Sequence, residues 1–131
     1  EATVGRDVSC ALSISSACLF GGKSGEYPQK LYKALMNSQT VLTVWDDARL
    51  VGLIRVLDDS EMLAQIHYVL VHPEYQGQGI AGRMVEYIKE KYKNFMYLEL
   101  MPEDKNNVPF YEKHGFHVME NGAAMQICNI N

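Results

Sequence analysis

Fourteen residues constrain this chain more than any others: Val69-Leu70-Val71-His72-Pro73-Glu74-Tyr75-Gln76-Gly77-Gln78-Gly79-Ile80-Ala81-Gly82. A β-branched run passes into a glycine-rich turn, and the turn opens an amphipathic pattern. Ile80, Met84, Ile88 and Tyr92 recur every four residues with Val85 beside them, while Arg83, Glu86, Lys89 and Glu90 fall on the other side. This spacing predicts a helix over 80–92. A helix start carries unpaired N–H groups and partial positive charge, and glycines ahead of it let the backbone approach an anion closely. The order strand, glycine turn, helix therefore points to a pyrophosphate as ligand.

Two other phosphate loops fit less well. The nucleotide-triphosphate loop needs a Lys after its last glycine, and none follows here. The spacing Gly77, Gly79, Gly82 matches GxGxxG, but the dinucleotide fingerprint belongs to the first strand of a βαβ unit. The turn here follows strands that read as antiparallel. Residues 41–45 and 50–56 are rich in β-formers and are separated by Asp46-Asp47-Ala48-Arg49; Asp58-Asp59-Ser60-Glu61 then leads to a third run over 63–71. Three sequential strands with short turns predict a meander.

Around this centre the chain reads as short helices over 9–20 and 28–37, joined by Gly21-Gly22-Lys23-Ser24-Gly25. Pro28 suits a first turn, and Leu31, Tyr32 and Leu35 form the apolar stripe. Downstream come a strand over 95–100, a helix over 108–114 stopped at Gly115, and closing strands over 116–120 and 124–130. The expected order is ααβββαβαββ, a mixed α/β fold in one domain over 1–131. With 131 residues and 47% hydrophobic content, one continuous core is affordable and two full domains are not.

Charge and cysteine content narrow the partners. Sixteen acidic against twelve basic side chains give a net charge of -4, and no basic block exists to hold nucleic acid. A mildly acidic surface suits a cationic substrate or serves only solubility. Cys10, Cys18 and Cys128 are odd in number and lack paired CxxC spacing, so reduced thiols and no metal site are expected. No run approaches the roughly 20 apolar residues that cross a bilayer. The apolar segment over 10–20 lacks a basic flank and is broken by serines. These features predict a cytoplasmic protein without a membrane partner.

Gln76-x-x-Gly79-x-Ala81, after Val71-His72-Pro73-Glu74-Tyr75, resembles the coenzyme A motif of the Gcn5-related N-acetyltransferase (GNAT) superfamily. Pro109-Phe110-Tyr111-Glu112-Lys113-His114-Gly115-Phe116 resembles its second signature. The resemblance covers roughly residues 40–130. It implies a central, mostly antiparallel, splayed sheet flanked by helices, and acetyl-CoA as acyl donor. Its function would be acetyl transfer to a primary amine of a small molecule, by direct attack in a ternary complex. A non-catalytic acyl-CoA sensor and a protein lysine or N-terminal acetyltransferase are the alternatives; a structural module ranks below them. Exposed strand edges leave a homodimer open.

By the same resemblance Gln76, Gly77, Gln78, Gly79, Ile80, Ala81 and Gly82 surround the pyrophosphate, chiefly through backbone amides. In the family the strand before this loop bulges and splays, so here the exposed backbone of Val69, Leu70 and Val71 would pair with the pantetheine arm, the Val69 or Val71 N–H contacting the thioester carbonyl. Tyr111 matches the family's general acid; with a reference pKa of about 10 it is protonated at neutral pH. The plainer role for Tyr111 is an aromatic core residue beside Phe110 and Phe116. Period-two alternation places His67 on the face of Val69 and Val71, with Tyr68 opposite. There His67 either takes the ammonium proton, directly or through water, or is an ordinary half-buried histidine. Many family members carry Asn seven residues before the Tyr; here that position is Asp104, and Asn107 is the nearer candidate for a pantetheine contact. Glu26, Tyr27 and His114 are weaker pocket candidates, and Arg83 and Lys113 reach phosphate oxygens or serve as solvated surface.

Overall fold

A computed structural model describes residues 2–4 and 27–129. The helix expected over 9–20, the loop over 21–25, Cys10, Cys18 and Glu26 lie outside the described residues. The chain gathers into two compact units, Glu1–Leu100 and Met101–Asn131.

The first unit is built on a five-stranded sheet whose spatial order is the chain order: β1 (Ala2–Val4), β2 (Thr40–Asp46), β3 (Arg49–Asp58), β4 (Leu63–Val71) and β5 (Tyr97–Leu100). β1 has no counterpart in the expected order, since three residues are too few to show a period. Neighbours are antiparallel except β4 and β5, which are parallel. A parallel pair needs a crossover, and helix α2 (Ile80–Lys91) supplies it. The β3–β4 turn is held by Asp59, whose Oδ1 accepts the N–H groups of Glu61, Met62 and Leu63 at 3.0, 2.7 and 3.0 Å. Those bonds, that of Met62 foremost, hold the Asp59 carboxyl below its ordinary pKa.

Register assigns the two faces, because directly paired residues project to the same side. Helix α1 (Pro28–Met36) covers one of them: Leu35, Val41 and Leu53 form a buried cluster against which Leu31, Tyr32, Leu50, Tyr68 and Leu70 pack. The other face carries Ile54, Val56, Ala64 and Ile66, all at most 3% exposed, with Met84, Val85 and Ile88 of α2 equally buried. Gly52 lies on this second face at the closest approach of α2. A Cβ there would meet Ile80 Cγ2 at 3.2 Å and Met84 Cε at 3.3 Å. At the far end of α2 the Tyr92 hydroxyl donates to Asp58 Oδ2 at 2.7 Å and lies 2.6 Å from Thr40 Oγ1. Desolvation, with the Asp58 carboxylate adding to it, pushes the phenol up to about 12.

The second unit contains the 3₁₀ turn Lys105–Asn107 and helix α3 (Val108–Lys113). The helix stops at Gly115, in the left-handed region at φ 93°. Phe116 N–H reaches Tyr111 C=O at 3.1 Å and Gly115 N–H reaches Glu112 C=O at 3.0 Å, the paired bonds of a Schellman stop. Among the described residues the closing strands expected over 116–120 and 124–130 are not formed: residues 116–129 carry no regular element beyond a turn, with Met125 92% and Ile127 87% exposed; residue 130 lies outside the described residues. Gly122 N–H instead bonds back to Met119 C=O at 3.0 Å. Strand propensity measures fit to a paired, half-buried surface, and without a partner strand these β-formers remain irregular.

Candidate functional site

Beyond β4 the chain makes a 3₁₀ turn at Pro73–Tyr75 and enters the glycine loop. Gly77 and Gly79 both sit at φ 82°, and a Cβ on either would meet nothing within 4 Å. Glycine is demanded here by backbone handedness and not by crowding. Gly79 is the N-cap of α2 and offers no side chain to satisfy the first turn. Arg83 N–H bonds Gly79 C=O at 3.1 Å, so the N–H groups of Gly79, Ile80, Ala81 and Gly82 precede the first helical donor. Residues 76–79 are exposed and 80–82 half-buried. The loop fits an anion: several N–H groups converge at a helix start, with open space around the two left-handed glycines.

Side chains from the β2–β3 turn and from the segment ahead of the glycines brace the stem of this loop. The Tyr75 hydroxyl donates to Asp46 Oδ2 at 2.5 Å, a bond that raises the Tyr75 pKa. Arg49 pairs with Glu74 at 3.1 Å and stacks over the Tyr75 ring at 5.6 Å. Its Nη2 lies 3.2 Å from His72 Nε2. The β2–β3 turn is thereby tied to the segment that launches the loop. The Gln76 side chain donates to Val71 C=O at 3.2 Å, capping the end of β4.

The edge of β4 is the second part of the site. His72 N–H bonds Val51 C=O at 2.8 Å. Because N–H direction alternates along a strand, the Leu70 N–H also faces β3, while those of Val69 and Val71 face away from it. On that outer side the ladder with β5 runs only from Leu63↔Tyr97 to Ile66↔Leu100. Val69 and Val71 therefore present amides to an edge that β5 no longer pairs, and Leu70 does not.

Between these halves β4 carries a bulge. Arg55 pairs with Tyr68 but Val56 pairs with Ile66, leaving His67 as the extra residue. Simple alternation fails across it. Val69 and Val71, opposite Ile54 and Gly52, share the α2 face with Ile66, whereas His67 does not join them. The exposed His67 ring instead touches Tyr68 at 4.4 Å and its Nδ1 lies 2.6 Å from Arg55 Nη1. His67 and Tyr68 thus lie together on the Arg55 side, correcting the expectation that they face opposite ways. A guanidinium only donates, so His67 Nδ1 is the acceptor and the neutral ring carries its proton on Nε2.

In the second unit Tyr111 is half-buried, its ring edge-on to Phe110 at 5.0 Å and to Phe116 at 6.0 Å. Desolvation raises its pKa above the ordinary tyrosine value. Asn107 is exposed at the N-cap of α3 and makes no side-chain capping bond. Asp104 accepts the Asn106 N–H at 2.9 Å, fixing the turn before it.

In the first unit, then, the fourth strand of a mixed sheet ends in a glycine turn at a helix start, and its edge opens past a bulge. The profile of the acetyltransferase (GNAT) family matches residues 12–116, and the chain belongs to that family. A Staphylococcus aureus protein of unknown function, described as a probable acetyltransferase, is similar over 98% of this chain and 99% of its own, with 27% identity and a TM-score of 0.83. The structure of a predicted acetyltransferase from Clostridium acetobutylicum, described with acetyl-CoA, shares the fold at 16% identity and a TM-score of 0.70, covering 96% of this chain and 95% of its own. An uncharacterized ycf52-like N-acetyltransferase of Prochlorococcus marinus is 28% identical over 99 residues, 72% of this chain and 55% of that protein. The chain spans about half the length of the curated relatives it matches.

Proposed function

We propose that this chain binds acetyl-CoA and transfers its acetyl group to a primary amine in a ternary complex. The observation that carries the reading is the junction of the two halves of the site in β4: edge amides at Val69 and Val71, leading directly into the left-handed glycines and the unsatisfied amides of α2. In this reading the loop from Gln76 to Gly82 holds the pyrophosphate and the β4 edge receives the pantetheine arm. Acetyl-CoA supplies the activated acyl group. The Val69 N–H steadies negative charge as it grows on the thioester oxygen. Tyr111, assigned by its place in the second signature, donates its proton to the departing sulfur, and its raised pKa keeps that proton available.

The amine must lose a proton before it attacks. With its Nδ1 lone pair engaged by Arg55, His67 is poorly placed to be the direct base, and the ammonium proton leaves through water to bulk solvent, the free amine then attacking. Asn107 remains a candidate for the pantetheine contact.

The test is calorimetric titration with acetyl-CoA followed by thiol-release assays on a panel of small amines and lysine peptides, using wild type and Tyr111→Phe. Removing a general acid lowers kcat by about 10²–10⁴-fold, with acetyl-CoA affinity nearly unchanged. Binding without thiol release above hydrolysis supports a sensor instead. Absence of binding would mean that the loop does not hold the cofactor.

A further inference from the structure

Arg55 is an arginine in the body of the sheet. It is half-buried in β3, burial lowers its pKa, and among the described residues no carboxylate lies within ion-pair distance of it. A desolvated cation without a counter-ion costs stability unless something else compensates it. Three neutral groups hold it in one orientation: Nε donates to Ser38 Oγ at 2.8 Å, Nη1 donates to His67 Nδ1 at 2.6 Å, and the guanidinium stacks over Tyr68 at 5.8 Å. Ser38 is itself anchored, donating to Ala34 C=O at 2.7 Å. Of the five guanidinium N–H groups, two are used. Nη2 bonds nothing among the described residues, and no buried side-chain nitrogen or oxygen there lacks a partner, so Nη2 reaches solvent.

The position of this cation gives it a use. Arg55 pairs with Tyr68, one strand step, about 3.4 Å, from the Ile54↔Val69 pair. The bulge at His67 keeps His67 and Tyr68 both on the guanidinium side. We propose that Arg55 receives a carboxylate of the acceptor, so that the amine acetylated by this protein belongs to a molecule also carrying a carboxylate, as an amino acid does. This rests on the acetyltransferase reading above. A planar fork with its Nη edge open accepts both oxygens of a carboxylate. One positive charge, with no second cation beside it in the set of contacts, matches a monoanion better than a phosphate dianion. Fixing the carboxylate there brings the amine of the same molecule toward the edge that carries Val69.

The experiment compares kcat/KM for amino acids with that for their carboxamides, in wild type, Arg55→Gln and Arg55→Lys. The wild type is expected to favour the carboxylate member by about tenfold or more, through KM, as a charge-assisted bidentate contact does. In Arg55→Gln the ratio falls toward one, and in Arg55→Lys, which keeps charge but not the fork, it lies between. Melting temperature and acetyl-CoA affinity establish that each variant is folded. Should a variant fail to fold, the wild-type ratio decides alone, and a value below about twofold overturns the inference. Acetyl-CoA binding with transfer to no carboxylate-bearing amine also overturns it while leaving the cofactor site standing. No acetyl-CoA binding and no transfer overturn the functional reading and this inference with it.

Discussion

Gly52 couples the packing of the sheet to the geometry of the anion loop, and enlarging it should damage both. A Cβ at this position would stand 3.2 Å from Ile80 Cγ2 and 3.3 Å from both Sδ and Cε of Met84. The Met84 atoms end a flexible side chain and can yield by a few tenths of an ångström. Ile80 is β-branched, stiff at χ1, and is the first residue of α2, so it moves only with the helix start. For Gly52→Ala the crowding is offset by the entropy that Ala removes from the unfolded chain, about 0.4–1 kcal/mol, and the net change should be within about 1 kcal/mol. Gly52→Val adds two methyl groups beyond that Cβ in the same space and should cost about 1–3 kcal/mol. The strain is relieved by pushing the first turn of α2 off the sheet, which misplaces the amides of Ile80, Ala81 and Gly82. Weakening one charge-assisted bond of about 1.5–3 kcal/mol raises the acetyl-CoA Kd about tenfold or more. Urea unfolding measures the first effect and calorimetry the second. Val41→Ala, in the cluster under α1 on the opposite face, is the control: it should lose about 2 kcal/mol with Kd changed less than twofold. If Gly52→Val is destabilised but binds acetyl-CoA like wild type, packing and loop are not coupled and the reasoning fails.

Further expectations follow from the same geometry. Gly79→Ala places a Cβ at φ 82°, a strain of about 1–2 kcal/mol. It should weaken acetyl-CoA binding by calorimetry while the far-UV dichroism stays native. Tyr92→Phe removes the hydroxyl that bonds both Asp58 and buried Thr40 and should cost about 1–3 kcal/mol in denaturant unfolding. Because the Tyr92 pKa is raised in the fold to about 12, its contribution is complete below the unfolded value of about 10 and is lost as pH rises toward 12. A stability profile of wild type flat across pH 10–12, relative to Tyr92→Phe, would contradict this. Arg49→Ala breaks an exposed ion pair of about 0–1 kcal/mol and frees the Tyr75 brace. The acetyl-CoA KM should rise severalfold at low salt with kcat retained, and an unchanged KM would show that the brace does not position the loop.

Much of the first unit could be read from residue order. The run over 63–71 coincides with β4, and the four-residue recurrence from Ile80 to Tyr92 marks α2 within one residue of its end. Both signals are local: a period and a turn composition. The glycine loop was legible for the same reason, since left-handed backbone selects glycine directly. A bulge before the loop is implied by the family resemblance, but its position was not legible, because His67-Tyr68-Val69 are all compatible with a regular strand, and only pairing against Arg55 and Val56 reveals the extra residue. That single insertion overturns the facing of His67. The Arg49, Tyr75 and Asp46 brace joins segments 29 residues apart, and nothing local in the sequence marks that the motif's Tyr75 meets the β2–β3 turn. Residues 116–129 failed in the opposite sense: β-formers were present, but propensity alone does not supply a partner.

The two ladders of β4 make the strand unequal along its length. Its first half is locked between β3 and β5, and its second half pairs with a strand on one side only among the described residues. An edge of that kind is a template for any extended backbone, and a cofactor arm bearing amides would complete it as an added strand does. Binding should then be visible in amide hydrogen exchange: protection rising at Val69 and Val71, and changing little at Leu70, whose N–H already faces β3.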